Sequence, residues 1–208
     1  MLTADLYIDR IDLARYLTPE EMHQSGAQNA GELAARLKDG SLSLKNCPFF
    51  SPAKRHALHI AIHAAQVLPP VQSLELPRPV PTALFEINEP GAEAPVLVSG
   101  NSEFTLTVMT GIMATTVSPL FLLLVDCRGD TVDMSMIYRS FTPQRLDQSL
   151  EANGMAGKVS HRRLIIPGVL APLKEELASY TGWDIAPGPI CAAELPLFLG
   201  ESWQPPPA

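Results

Sequence analysis

The chain has 208 residues, of which 46% are hydrophobic and only 18% charged. This bounds it to one ordinary domain with an appendage, or two small domains, and excludes wholesale disorder. With 15 basic against 22 acidic residues, a net charge of -7 and only the short basic run Lys54-Arg55-His56, nucleic acid is not an expected partner. Three scattered cysteines, Cys47, Cys127 and Cys191, cannot form a disulfide framework or a four-thiolate site and fit a reducing, cytoplasmic setting.

The first residues, MLTADLYIDRIDL, lack the basic and apolar regions of a secretory signal. Ala30 to Lys38 predicts a helix, with Gly40 at the C′ position. Ser51 as N-cap and Pro52 at N1 start a second helix. On it Leu58, Ile62 and Ala65 form an apolar stripe, while His56, His59, His63 and Gln66 share another face. A metal there would need neutral imidazoles, a fourth ligand and outer support. The polar side of an amphipathic helix explains the same pattern, and no metal site is assigned.

Seven prolines fall between Pro69 and Pro95. They predict a stiff connector over 69–94, with one short edge strand, Ala83 to Ile87. The expected organisation is a helical part over 1–68, the linker over 69–94, an α/β domain over 95–200 and a frayed tail over 201–208.

Beyond the linker, strand, turn and helix signals repeat. Ala94 to Val98 is a short apolar run, and Phe104 to Met113 suits a helix. Pro119 to Asp126 is a continuous apolar run of the kind covered on both faces; its apolar stretch is far short of the ~20 residues of a membrane span. Thr142-Pro143 starts a helix ending at Asn153-Gly154. Arg163 to Ile166 is a strand, Leu170 to Tyr180 a helix, Trp183 to Ile185 a strand and Ile190 to Leu199 a last helix. The fold class expected is α/β: an open, doubly wound, mostly parallel sheet preceded by a small helical part. Ligands in such sheets sit beyond the strand carboxyl ends. Here these are Ser99-Gly100-Asn101, Asp126-Cys127-Arg128, Pro167-Gly168 and Ala186-Pro187-Gly188.

No P-loop, GxGxxG, HExxH or GxSxG motif is present, and no nucleophile–base set emerges by spacing. Ser99, Asn101, Thr105 and Thr107 read both as helix caps and as donors to a polar ligand edge. Met109, Met113, Met134 and Met136 read as core filler, with a soft-metal contact as the other reading.

Five stretches in register carry a family resemblance: PVLVSGN (Pro95 to Asn101), FTLT (Phe104 to Thr107), LLLVDCRG (Leu122 to Gly129), KVSHRRLIIPG (Lys158 to Gly168) and GWDIAPGPICAAELPLFL (Gly182 to Leu199). Together they resemble the corrinoid-binding C-terminal domain of the large, gamma-type subunit of the corrinoid iron–sulfur protein. That protein is the methyl carrier of the CO dehydrogenase/acetyl-CoA synthase system of anaerobic metabolism. The segment GELAARLKDGSLSLKNCPFFSPAKRHAL is similar to part of the same family's iron–sulfur domain. Cys47 matches the last cluster ligand there, but the other three ligand positions fall on Met22, Ser25 and Ala30. One thiolate cannot hold a [4Fe–4S] cluster, so the resemblance implies a degenerate cluster domain. The family's barrel domain is missing, and the linker stands in its place.

Where the family has a short helix of small residues, this chain reads SMIYRS, Ser135 to Ser140. Met136 falls where a related mercury-methylating corrinoid protein has a cobalt-ligating cysteine, and Tyr138 and Arg139 replace small residues. The resemblance implies a corrinoid (cobalamin) cofactor held by Ser99, Gly100, Asn101, Thr105, Thr107, Met136, Gly168, Val169, Gly188 and Ile190, with no catalytic residue. It implies a carrier rather than a stand-alone enzyme, working with a methyltransferase or barrel-type partner protein and no membrane. The other reading is a cofactor-free interaction or regulatory subunit of a corrinoid methyltransferase complex.

Overall fold

The structure is a computed structural model and describes residues 4–71 and 76–207. Residues 72–75 of the expected linker and the chain ends lie outside the described residues. Four helices come first: α1 (Pro19–Ser25), α2 (Ala30–Lys38), α3 (Pro52–Ile62) and α4 (Ala64–Val67). Side-chain caps start the first three. Thr18 and Glu21 form a reciprocal capping box on α1, while Asn29 and Ser51 accept from Glu32 and Lys54 amides on α2 and α3.

Five strands follow: β1 (Leu84–Ile87), β2 (Val96–Gly100), β3 (Leu120–Val125), β4 (Arg163–Ile166) and β5 (Asp184–Pro187). They form one sheet in the order β1-β3-β2-β4-β5. β1 is antiparallel to β3, and the other pairings are parallel. The intervening helices are α5 (Glu103–Met113), α6 (Val132–Ile137), α7 (Pro143–Ala152), α8 (Met155–Lys158), α9 (Lys174–Thr181) and α10 (Leu195–Leu199). The open, mostly parallel α/β sheet expected from the sequence is the observed one. Two expected helices are split: 3-10 turns at Gly168–Leu173 and Ala192–Glu194 precede α9 and α10; in the first, Pro172 denies the backbone an α-helical donor.

Every residue of β2 and β3 is buried, which is why these runs are continuously apolar rather than alternating. Side chains still divide by period two. Leu97, Leu120, Leu122 and Leu124 face one apolar cluster, while Val96, Val98, Phe121, Leu123 and Val125 face the other. The second cluster is closed by Leu146, Leu150 and Leu177 of α7 and α9.

The first cluster is closed by α5 and by the N-terminal helices. Leu33, Leu37, Phe50, Leu58 and Ile60 share it with Leu97, Ile112 and Leu122. The helical part is therefore a layer on the sheet. Each such fully buried side chain contributes about 1.5–3 kcal/mol, so separation would expose a large part of the core.

Two expectations change here. The proline-rich segment carries the expected edge strand as β1 (Leu84–Ile87), but the residues before it pair as well. Val80 donates to the Asn101 carbonyl, Glu103 to the Arg78 carbonyl and Leu124 to the Ala83 carbonyl, and β1 completes the sheet edge. Proline removes donors but leaves carbonyl acceptors, so a rigid extended segment still pairs at an edge. Nor does the tail fray as far as Gln204. Trp203 is fully buried, and Gln204 exchanges hydrogen bonds with Thr116, Val117 and Ser118. A tryptophan of this size outweighs the prolines after it.

Candidate functional site

Strand order reverses at β2: the chain moves to β3 on one side and returns to β4 on the other. Such a switch point leaves a crevice at the strand carboxyl ends. A cavity of about 370 Å³ lies there. Its floor is Leu97 to Ser99 of β2 and Ile165 to Pro167 at the end of β4. One wall is Phe104, Thr105, Val108 and Met109 of α5, and another is the segment from Gly129 to Met134. Val169, Pro189, Ile190 and Leu195 close a third side, and Ala4 to Tyr7 with Leu76-Pro77 close the last.

Its electrostatics are one-sided. Asp5, Asp130 and Asp133 line the cavity, and among the described residues no lysine, arginine or histidine does. Asp130 is buried and accepts from the Ser140 hydroxyl at 2.7 Å. Tyr7 donates its phenol proton to Asp133 at 3.0 Å across the cavity wall. Burial, and then Asp133, push the Tyr7 phenol up to about 12, so it remains a donor. Thr105 is buried at the start of α5 beside the Ser102 hydroxyl, 3.2 Å away. The rim carries exposed apolar groups: Leu76, Tyr138 and Ile190, with Ile137 beside them.

Of the residues expected at a site, Ser99, Thr105, Val169 and Ile190 line this cavity, while Gly100, Asn101, Thr107, Met136, Gly168 and Gly188 do not. Asn101 is buried as a bracket. Its Oδ1 accepts from the Cys127 and Gly129 amides at 2.7 and 3.3 Å, and its Nδ2 donates to Val80 O at 2.9 Å. Thr107 is exposed and bonds back to Glu103 O. Gly100 packs on Cys127.

Gly168 and Gly188 join two strand-end loops. A Cβ on Gly168 would meet Gly188 O at 2.6 Å and Ile190 N at 2.9 Å, and one on Gly188 would meet Ile166 O at 3.2 Å. These glycines allow backbone to meet backbone. Met136 is half-buried against the second apolar cluster, whereas Met109 and Met134 face the cavity. Two positions along a helix is about 200°, enough to turn Met134 and Met136 to opposite sides.

Sequence reading missed Tyr7, Met134, Asp130 and Asp133. The two aspartates follow the recognised end of β3, so their signal was available. Tyr7 meets Asp133 across 126 residues, a contact that periodicity does not encode. Cys127 and Cys191 are fully buried, with burial pushing their thiols up to about 12 and about 11. They are small hydrophobes here, not nucleophiles.

The crevice at the switch point is thus mainly apolar, with hydroxyl and carboxylate acceptors and, among the described residues, no lysine, arginine or histidine in its lining. Residues 71–199 match the family described as CO dehydrogenase/acetyl-CoA synthase delta subunit, and the chain belongs to that family. It is similar to the acetyl-CoA decarbonylase/synthase complex subunit gamma of Methanopyrus kandleri, 34% identical over 59% of this chain and 27% of the relative. The corrinoid/iron-sulfur protein large subunit of Moorella thermoacetica is 31% identical over 60% of this chain and 28% of the relative. The Methanocaldococcus jannaschii gamma subunit is 28% identical over 62% and 26% respectively. The chain thus matches only about a quarter of the length of these relatives. The family match begins at residue 71, inside the proline-rich segment, in keeping with that segment's place on the sheet. No helix among the described residues is long and apolar enough to cross a membrane.

Proposed function

We propose that this chain is a corrinoid-binding, methyl-carrier-like protein of the acetyl-CoA pathway and has no iron–sulfur cluster of its own. The observation that carries the reading is the acceptor-lined apolar cavity at the switch point of the family-matched sheet. A corrin ring is apolar on its faces and carries primary amides at its rim. Amides donate to carboxylates and hydroxyls, which Asp130, Asp133, Ser99 and Thr105 supply. A nucleotide, the commoner guest of α/β crevices, would place phosphates beside three carboxylates with no compensating cation among the described lining residues.

At about 370 Å³ the cavity lies at the low end for ligand sites. It would admit the ring's edge, and Leu76, Tyr138 and Ile190 would lie along part of an apolar face. Bound there, the corrinoid supplies the cobalt that carries the methyl group. The chain's residues orient the ring and exclude water from it. Against an own cluster stands the count of three cysteines, together with Cys47 fully buried in the core, its Sγ 3.4 Å from Ser43 O.

A second reading, a cofactor-free interaction subunit, draws on the exposed apolar rim of Leu76, Ile137, Tyr138 and Ile190. Such a patch marks a docking surface for a partner protein. Anaerobic reconstitution with cobalamin, removal of excess by gel filtration and visible spectroscopy separate the two. The carrier reading expects coloured protein near one corrinoid per chain, and colourless, folded protein overturns it. Iron and acid-labile sulfide after anaerobic purification test the cluster statement; near-stoichiometric amounts would refute it.

A further inference from the structure

The C-terminal end of α3 carries an arrangement that the cavity does not use. His59 and His63 are four residues apart and so stand one above the other on the helix surface. Their ring centroids are 4.3 Å apart with planes at 36°. His63 Nδ1 lies 2.9 Å from the His59 carbonyl oxygen. A carbonyl only accepts, so Nδ1 carries the proton and Nε2 keeps the free lone pair. The same bond orients the ring, as outer-shell acceptors do for histidines that bind metal.

His59 is exposed, and its ring nitrogens have no hydrogen-bond partner among the described residues. Partial desolvation, then the neighbouring His63 and His56, hold its pKa below the ordinary histidine value. His56 is excluded from the pair, since its Nε2 is committed at 2.7 Å to Thr115 O.

We propose that His59 and His63 form a two-imidazole site for one divalent first-row transition-metal ion. Imidazole donors select this class over Mg2+ and Ca2+, and Cu2+ leads Ni2+ and Zn2+ in affinity. The rings lie close to stacked, so convergence of both Nε2 lone pairs at about 2.0–2.1 Å from one ion needs a turn of the His59 side chain, which its exposure permits. Among the described residues no group of three or more His, Cys, Asp or Glu is placed to hold a metal. The remaining positions are therefore filled by water or an incoming ligand, and the ion exchanges readily.

Titration of the full chain with Cu2+, Ni2+, Zn2+ and Mg2+ in a non-coordinating buffer at near-neutral pH tests this. The expectation is one Cu2+ per chain, weaker Ni2+ and Zn2+, no Mg2+, and nitrogen hyperfine structure in the Cu2+ electron paramagnetic resonance spectrum. His59→Ala and His63→Ala each weaken binding by at least about tenfold; His23→Ala, at an exposed position on α1, leaves it unchanged. Both ligands are surface residues, and circular dichroism of the variants separates lost binding from lost fold. Undiminished Cu2+ affinity in the folded double variant, or no Cu2+ binding by the parent chain, overturns the proposal.

Discussion

Replacing Asn101 by alanine tests how the sheet, the proline-rich segment and the loop behind the cavity are joined. One side chain serves three backbone groups: the Cys127 and Gly129 amides through Oδ1, and the Val80 carbonyl through Nδ2. Alanine leaves all three without that partner. A buried polar group stripped of its bond costs ~1–3 kcal/mol. The Gly129 bond is long at 3.3 Å and contributes least, and the Val80 side is only partly buried and admits water. The expected total is about 3–5 kcal/mol, at the upper end for a single substitution and a large share of the ~5–15 kcal/mol of a typical domain.

Urea unfolding should show the midpoint falling with the slope unchanged. Amide exchange should accelerate at Cys127 and Gly129. Thr107→Ala, which loses only an exposed bond to Glu103 O, should stay within about 0.5 kcal/mol. A loss under about 1 kcal/mol for Asn101→Ala, with exchange at Cys127 unaltered, would refute the bracket.

Glu194 is buried, and desolvation raises its pKa despite the Tyr16 hydroxyl donating to it at 2.7 Å. The native state therefore holds this proton more tightly than the unfolded chain. Its contribution is fully present below the unfolded value of about 4.3 and is lost as pH rises through the folded value; Glu194→Gln should flatten the stability profile above about pH 4, and parallel profiles would contradict this. The thiols of Cys127 and Cys191 should resist a thiol-specific reagent in the native state and react on unfolding; rapid native labelling would place them elsewhere. Trp203→Ala should cost about 3–5 kcal/mol, and a near-neutral result would return the tail to a frayed state.

The framework was legible because its signals are local. The Val96–Gly100 and Leu120–Val125 strands are apolar on both faces, and caps at Ser51-Pro52 and Thr142-Pro143 mark helix starts at the positions observed. Thr18-Pro19-Glu20-Glu21 carried an equally good capping box that the sequence reading left unused. The edge strand at Ala83 to Ile87 was legible, but the pairing of residues 78–80 and the docking of Trp203 and Gln204 were not, because proline frequency reports local stiffness and says nothing of what an extended segment or a buried Trp203 finds to pack against. The site was half legible for a related reason. Strand ends locate the crevice, but which side chains turn into it depends on helix phase, which placed Met134 rather than Met136 there. It also depends on distant partners, which brought Tyr7 to Asp133.

Amide hydrogen exchange with and without cobalamin tests the central claim most directly, since it reports binding and location together. The carrier account predicts added protection at Ser99, Thr105, Gly129 to Met134, Val169 and Ile190, with none around Asp147, Glu151 and Trp183 at the separate surface hollow. Unchanged exchange at saturating cobalamin, or protection confined to that hollow, would contradict it.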